Sequence, residues 1–413
     1  MKLATFFRTL FLGLLALFSA IYAQGNAPST EKKILAGYYP DWGKWNKPSY
    51  TVEMIPYGKL THVLWSFISP KADGSLRGDA VTDPRSLDEM VKLAHAAGTR
   101  AIISLGGAGL CQYFAPVAKD DALRSKFVAE LMSFVSDHNL DGVDMDWEFS
   151  KVPVPDADTA AYNKLLGDIR AALPPGKTLS AALPCSGYYG KYFTADALVE
   201  NLDWFGFMTY DITGEWDDKA RFDSPLHPNT GNDWTTWSWD QTANYWESRG
   251  VPTEKMVFGV PSFGFVFSGT AGPGTTFDKN SGKNTAYAEI MKMAQWEFHY
   301  DEISQEPYAV SGDLFATYEN EKSATAKAEW IKANMYAGAM IWELSQDYTE
   351  GEVQPIVETL SATLQIHNET DGISERRIAP RTKELGALRY NYNALGQVRK
   401  PREAPGHYFT KNR

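Results

Sequence analysis

The chain has 413 residues, of which 44% are hydrophobic, and a formal net charge of −11. That length and apolar content are enough for one large domain or two. The negative charge argues against a polyanionic partner such as nucleic acid or an acidic lipid surface, and a neutral ligand suits it better. In chain order, Met1 to about Ala23 places Lys2 and Arg8 ahead of or within an apolar run, Phe11 to Phe18, and then small residues. Residues 1–23 therefore read as a secretory signal. The run is too short for a spanning helix, and no later stretch reaches the roughly 20 apolar residues that a bilayer needs. The expectation is a secreted, extracellular monomer with no transmembrane segment.

After the signal, short apolar runs alternate with longer amphipathic ones, the pattern of β/α units around a parallel sheet. Eight strands are predicted: Ile34–Tyr39, His62–Ile68, Arg100–Leu105, Gly142–Trp147, Thr178–Leu183, Trp204–Tyr210, Met256–Pro261 and Ala337–Trp342. Helical periodicity is found at Ser86–Ala97, Ala122–His138, Thr159–Leu173, Ala195–Asn201, Thr242–Ser248, Ser323–Met335 and Val353–Leu364. Eight such units close into an α/β fold, a (β/α)8 TIM barrel over residues 31–365. Between the seventh and eighth strands an excess of sequence, about 268–321, predicts a small α+β insertion forming one wall of a cleft. Residues 366–413 are basic with no clear apolar period, and read as a flexible tail. Asn368-Glu369-Thr370 is a glycosylation sequon. Cys111 and Cys185 are the only cysteines, and sequence leaves their pairing open.

The segment Leu140-Asp141-Gly142-Val143-Asp144-Met145-Asp146-Trp147-Glu148 alternates acid and apolar with the period of a strand. Asp144, Asp146 and Glu148 then share one face, and Val143, Met145 and Trp147 share the other, where Met145 packs against the helices. Crowded carboxyls repel one another, so at least one should hold its proton well above the ~4 of a free acid, which suits a general acid. Calcium loops want turn residues and a glycine at fixed places, not interleaved Val, Met and Trp, so no metal is expected. An ordinary half-solvated strand with an acidic face is the other reading.

In a barrel of this kind chemistry sits at the carboxyl ends of the strands. Those ends carry Ser104-Leu105-Gly106-Gly107, Asp146-Trp147-Glu148, Met208-Thr209-Tyr210-Asp211 and Trp342-Glu343. Tryptophans in polar stretches, at 42, 45, 216, 234, 237 and 239, offer flat faces for sugar rings, although about half are expected to be structural.

These motifs resemble those of glycoside hydrolase family 18, the chitinases and chitinase-like proteins. Leu140 to Glu148 fits Asp-x-x-Asp-x-Asp-x-Glu, Ser104 to Gly107 fits Ser-x-Gly-Gly, and Met208 to Asp211 fits Met-x-Tyr-Asp. Ala339 to Trp342 fits the eighth strand, and Gly37-Tyr38-Tyr39 looks like the first.

The resemblance implies a secreted chitinase that cleaves β-1,4-N-acetylglucosamine linkages by substrate-assisted, retaining catalysis, with no cofactor. It implies that Glu148 is the acid and base, that Asp146 and Tyr210 hold the acetamide, and that Asp144 supports Asp146. It places Trp342 beneath the sugar, and Tyr38, Phe67, Ser104, Gly107, Phe149, Met208 and Asp211 around the substrate. Asp141 is implied as structural support.

Four features depart from the family pattern: Ala108 stands where Trp is common, Phe149 where Tyr is common, Phe263-Gly264-Phe265 replaces Tyr-Gly-Arg, and the insertion is short. The alternatives are an inactive chitin-binding protein that sequesters fragments, and an endoglycosidase acting on the N,N′-diacetylchitobiose core of N-glycans.

Overall fold

A computed structural model describes residues 32–366 except 47, 78–83, 230–236, 294 and 350. The expected signal, the basic tail and the Asn368 sequon lie outside the described residues.

The barrel consists of β1 (Ile34–Pro40), β2 (His62–Ile68), β3 (Arg100–Gly106), β4 (Gly142–Asp146), β5 (Thr178–Pro184), β6 (Trp204–Met208) and β7 (Met256–Pro261). Five strands follow: β8 (Phe263–Phe267), β9 (Lys283–Ala286), β10 (Glu297–Asp301), β11 (Glu306–Ser311) and β12 (Leu314–Thr317). The last, β13 (Gly338–Trp342), pairs in parallel with both β1 and β7 and closes the barrel. All eight predicted strands are present, and their near-continuous apolar runs follow from burial on both faces: every residue of β2 is buried.

Each of the seven predicted helices is also present, with its ends moved by at most three residues. Asp121–Asp137 shows the cause of such a boundary. Its side-chain cap is Asp120, which accepts from the amides of Ala122 (2.9 Å) and Leu123 (3.0 Å), while Phe127, Leu131 and Val135 recur every four residues on the buried face.

Apolar side chains form two clusters. The larger one, between sheet and helices, holds Val143, Met145 and Trp147, so Met145 does face the helices. The smaller one holds the barrel-interior residues Leu64, Ile102, Val257 and Met340 together with Phe263, Phe265 and Phe267 beyond the strand ends.

Three expectations need correction. Strand β4 ends at Asp146 and β6 at Met208, so Trp147 and Tyr210 lie just past their strands. The turn after β6 is sharp, with Asp211 at φ 55. The insertion begins at Phe263, only one residue after β7, and forms an antiparallel sheet of order β10-β11-β12-β8-β9, with one short helix at Tyr287–Ile290.

The seam that closes the barrel is tight. A Cβ on Gly338 would lie 1.9 Å from the Ile34 carbonyl oxygen, a backbone atom that cannot swing aside. Gly338→Ala is expected to cost at least about 2 kcal/mol, read as a lowered urea midpoint with little change in the slope of the transition.

Candidate active site

Asp144 points into the barrel with no exposed surface. Its carboxylate accepts from the hydroxyls of Tyr38 (3.0 Å), Ser104 (2.8 Å) and Ser180 (2.7 Å), which arrive from β1, β3 and β5. Ser104 and Ser180 are the register partners of Asp144 on its two neighbouring strands, so strand pairing alone delivers them. Burial raises the Asp144 carboxyl above its ordinary range, and the three hydroxyl donors oppose that rise.

Asp146 has less help. It is 5% exposed, and its Oδ1 has no hydrogen-bond partner among the described residues. Burial first, then the charges of Glu148 and Asp144, hold its carboxyl well above the usual range. Glu148 is half-buried, and burial raises it too.

Tyr210 is drawn into the same group. Burial, followed by the charges of Asp146, Asp211, Glu148 and Asp144, raises its phenol well above 10. Its ring meets Phe263 edge-on at 5.8 Å and lies against Gly259, where a Cβ would sit 2.6 Å from the ring. Asp211 is at the rim with its side chain accessible, yet crowding by the surrounding protein and then by Glu148 pushes it up to about 6. The arrangement is thus a cluster of carboxyls that hold protons unusually firmly, next to a phenol that stays neutral.

Aromatic rings form the floor. Trp342 is half-buried, with Phe67 stacked on it at 5.6 Å and Tyr38 edge-on at 5.5 Å. Trp42, 42% exposed, stands 6.4 Å from both Phe67 and Trp342. The peptides Ser66–Phe67 and Trp342–Glu343 are cis.

The Gly106-Gly107 pair leaves room that no side chain could share. A Cβ on Gly106 would meet the Asp146 carbonyl oxygen at 2.3 Å, and one on Gly107 would meet the Phe67 ring at 2.5 Å, both at positive φ. The Gly107 amide donates to that same Asp146 carbonyl at 2.8 Å. A pocket opens beside Glu148, lined by Phe149, Ala182, Pro184, Tyr189, Phe193 and Met208.

The structure brings together Tyr38, Phe67, Ser104, Gly107, Asp144, Asp146, Glu148, Met208, Tyr210, Asp211 and Trp342. Phe149 joins them only in part, because its ring also packs on Tyr162 and Phe193. Asp141 stands apart at the amino end of β4, where it accepts from the Ala101 amide (2.9 Å) and pairs with His95 (2.7 Å).

Two residues that the sequence does not mark as part of the site join it, Ser180 and Cys111. The Cys111 sulfur accepts from the Glu148 amide at 3.3 Å, and both cysteines are free thiols. Ser180 could have been found from the register of two adjacent predicted strands; Cys111, 37 residues from Glu148, carries no local signal.

Of the loop tryptophans, Trp42, Trp45 and Trp216 are exposed. Trp239 is not a loop residue: it starts the helix Trp239–Glu247 and stacks on Phe258 in the core. Trp234 lies outside the described residues. Phe265 is buried against Trp216 and Phe263 within the insertion, and Ala108 is exposed.

The model for glycosyl hydrolases family 18 matches residues 34–347. The chain belongs to that family. It is 27% identical over 394 residues to an endochitinase of Manduca sexta, which covers 84% of this chain and 69% of the relative. It is also 27% identical over 382 residues to a probable endochitinase of Caenorhabditis elegans, of whose length it spans 61%. Among solved structures, catalytic domain 2 of the Ostrinia furnacalis Group II chitinase superposes with a TM-score of 0.75 at 26% identity, covering 81% of this chain and 97% of that one; it was solved as a mutant in complex with penta-N-acetylchitooctaose.

Crowding acids in a family 18 barrel has a stability cost with a definite sign. Asp146 keeps its proton in the folded state to a higher pH than in the unfolded chain, so the native protein loses stability as pH rises above ~4. Asp146→Asn should therefore match the native protein near pH ~4 and exceed it by at least about 1 kcal/mol at neutral pH, measured from urea midpoints across that range.

Proposed function

We propose that this family 18 chain is a secreted chitinase that cleaves β-1,4-linked N-acetylglucosamine oligosaccharides with retention of configuration. In this reading Glu148 gives its proton to the departing glycosidic oxygen. The acetamido oxygen of the bound sugar attacks the anomeric carbon to form an oxazolinium ion, and the bond to the leaving sugar breaks. Glu148, now ionised, takes a proton from water as that water opens the ring.

Each of these steps has a matching feature in the cluster. A general acid must still be protonated near neutral pH, which burial of Glu148 favours. The oxazolinium carries positive charge, which the neighbouring acids stabilise as they ionise. Asp146 Oδ1 is a buried acceptor without a donor, and the acetamido N–H would supply one. The Tyr210 hydroxyl, kept neutral by burial and then by the acids around it, would donate to the acetamido oxygen, and Trp342 would carry the apolar face of the sugar. The observation that carries the reading is the convergence of Asp144, Asp146, Glu148 and Tyr210 in one pocket, where burial raises all four.

The test is product analysis after incubation with chitin oligosaccharides at several pH values from about 4 to 8. The expected result is cleavage with an alkaline limb, because activity disappears as Glu148 loses its proton. Binding without cleavage at every pH would instead make the chain a chitin-binding protein. Glu148→Gln should lower kcat by at least about 100-fold while the affinity for oligosaccharides stays within a few fold.

A further inference from the structure

A second group of ionisable side chains is buried where the insertion meets the barrel, and the proposed chemistry does not use it. Asp223, Glu306, Glu319 and Lys327 have no exposed surface. They come from different elements: Asp223 follows the β6 turn, Glu306 starts β11, Glu319 follows β12, and Lys327 sits mid-helix in Glu321–Ala333.

Lys327 is ion-paired to Glu319, and its Nζ lies 3.6 Å from Glu306 Oε2 and 5.1 Å over the Trp239 ring. Neither oxygen of Asp223 has a hydrogen-bond partner among the described residues. Three carboxyls share one ammonium, and burial, reinforced by the neighbouring acids, holds Asp223 and Glu306 well above the usual carboxylate range. A lone ammonium in such a place is expensive unless it is fully hydrogen-bonded, so its third contact matters.

That contact is Ser224. Lys327 Nζ donates to Ser224 Oγ at 3.1 Å, and Trp239 Nε1 donates to the same oxygen at 3.1 Å. With two donors reaching its lone pairs, the Ser224 hydroxyl is left to donate, and the Thr209 carbonyl accepts from it at 2.6 Å. Thr209 is held again by its own hydroxyl, which donates to the Gly259 carbonyl at 2.7 Å. The next residue is Tyr210, whose ring lies on Gly259. The path from the buried ammonium to the phenol therefore runs through two hydrogen bonds and one peptide.

We propose that Lys327, acting through the Ser224 hydroxyl, is a positioning residue for Tyr210. The helix Glu321–Ala333, which follows the insertion sheet, then does more than cover the barrel: it fixes the angle at which the phenol enters the cleft. The inference rests on the reading of Tyr210 as the acetamide donor, and the structural half of it, the path from Lys327 to Thr209, stands without that reading.

The test is a double-mutant cycle, because a positioning residue loses its effect once its target has lost its function. Ser224→Ala should lower kcat about tenfold with KM within about twofold, since misplacing a reacting group by a fraction of an ångström affects the transition state more than binding. In the Tyr210→Phe background, the same change should cost less than about twofold. Lys327→Met should behave alike wherever it folds; Ser224→Ala keeps every charge and carries the test if it does not.

Equal fold losses with and without the Tyr210 hydroxyl would overturn the proposal and leave Lys327 a purely structural ion. If the native protein cleaves nothing, the proposed function fails. The crystal structure of Ser224→Ala then still decides the coupling: a Tyr210 ring displaced from its place on Gly259 supports it, and an unmoved ring refutes it.

Discussion

The burial of Asp144 is the constraint from which the rest of the site follows. A carboxyl inside a barrel has lost its water, and it is tolerable only where protein donors replace that water. Here Tyr38, Ser104 and Ser180 do so from three different strands. Because side chains alternate, a slip of one residue between β3 and β4, or between β4 and β5, would turn Ser104 or Ser180 outward and cost the acid one of its three donors. Correct strand register and a tolerable Asp144 are thus one requirement. The Gly106-Gly107 pair enforces it from the side, since only bare backbone fits against the Asp146 carbonyl and the Phe67 ring.

What was legible in the sequence was whatever depends on local periodicity. The two-residue alternation from Leu140 to Glu148 gave the inward face of β4, and Met145 fell on the helix side as alternation requires. Strand ends were less legible because they are decided by partners far away. The strand pattern continues through Trp147 and Tyr210, but pairing stops at Asp146 and Met208, where the chain must turn across the mouth of the barrel. Ser180 is an ordinary residue in an apolar strand until register sets it opposite Asp144. Trp239 sits among other tryptophans in a polar stretch, and only the Ser238 cap and the seven-residue spacing to the buried Trp246 mark it as the start of a helix.

The departures at Phe263 and Phe265 have a packing explanation. Both rings belong to β8 of the insertion and form one apolar row with Phe267, and the exposed Trp216 leans edge-on against Phe265. A cation at position 265 would have to be buried in that row of rings. A buried cation does lie behind the β6 turn: Lys327, which Glu319, Glu306 and Ser224 surround. The insertion is therefore anchored to the barrel by rings on the cleft side and by charge on the inner side.

Within the acidic row, the environments differ in a way that assigns the protons. Asp144 has three donors that favour its ionised form; Asp146 has none at Oδ1 and lies between two other acids. Of the pair, Asp144 is the better place for a negative charge and Asp146 the better place for a proton, although the row titrates as a coupled set. That order changes once a donor reaches Asp146, because a hydrogen bond to the ionised form lowers its proton affinity. A ligand amide N–H is such a donor. Binding would then release a proton within the row, and the nearest acid positioned to use it is Glu148, the one that opens onto the cavity. The unsatisfied oxygen of Asp146 is, on this argument, the point in the row where a single added donor would reorder the protons.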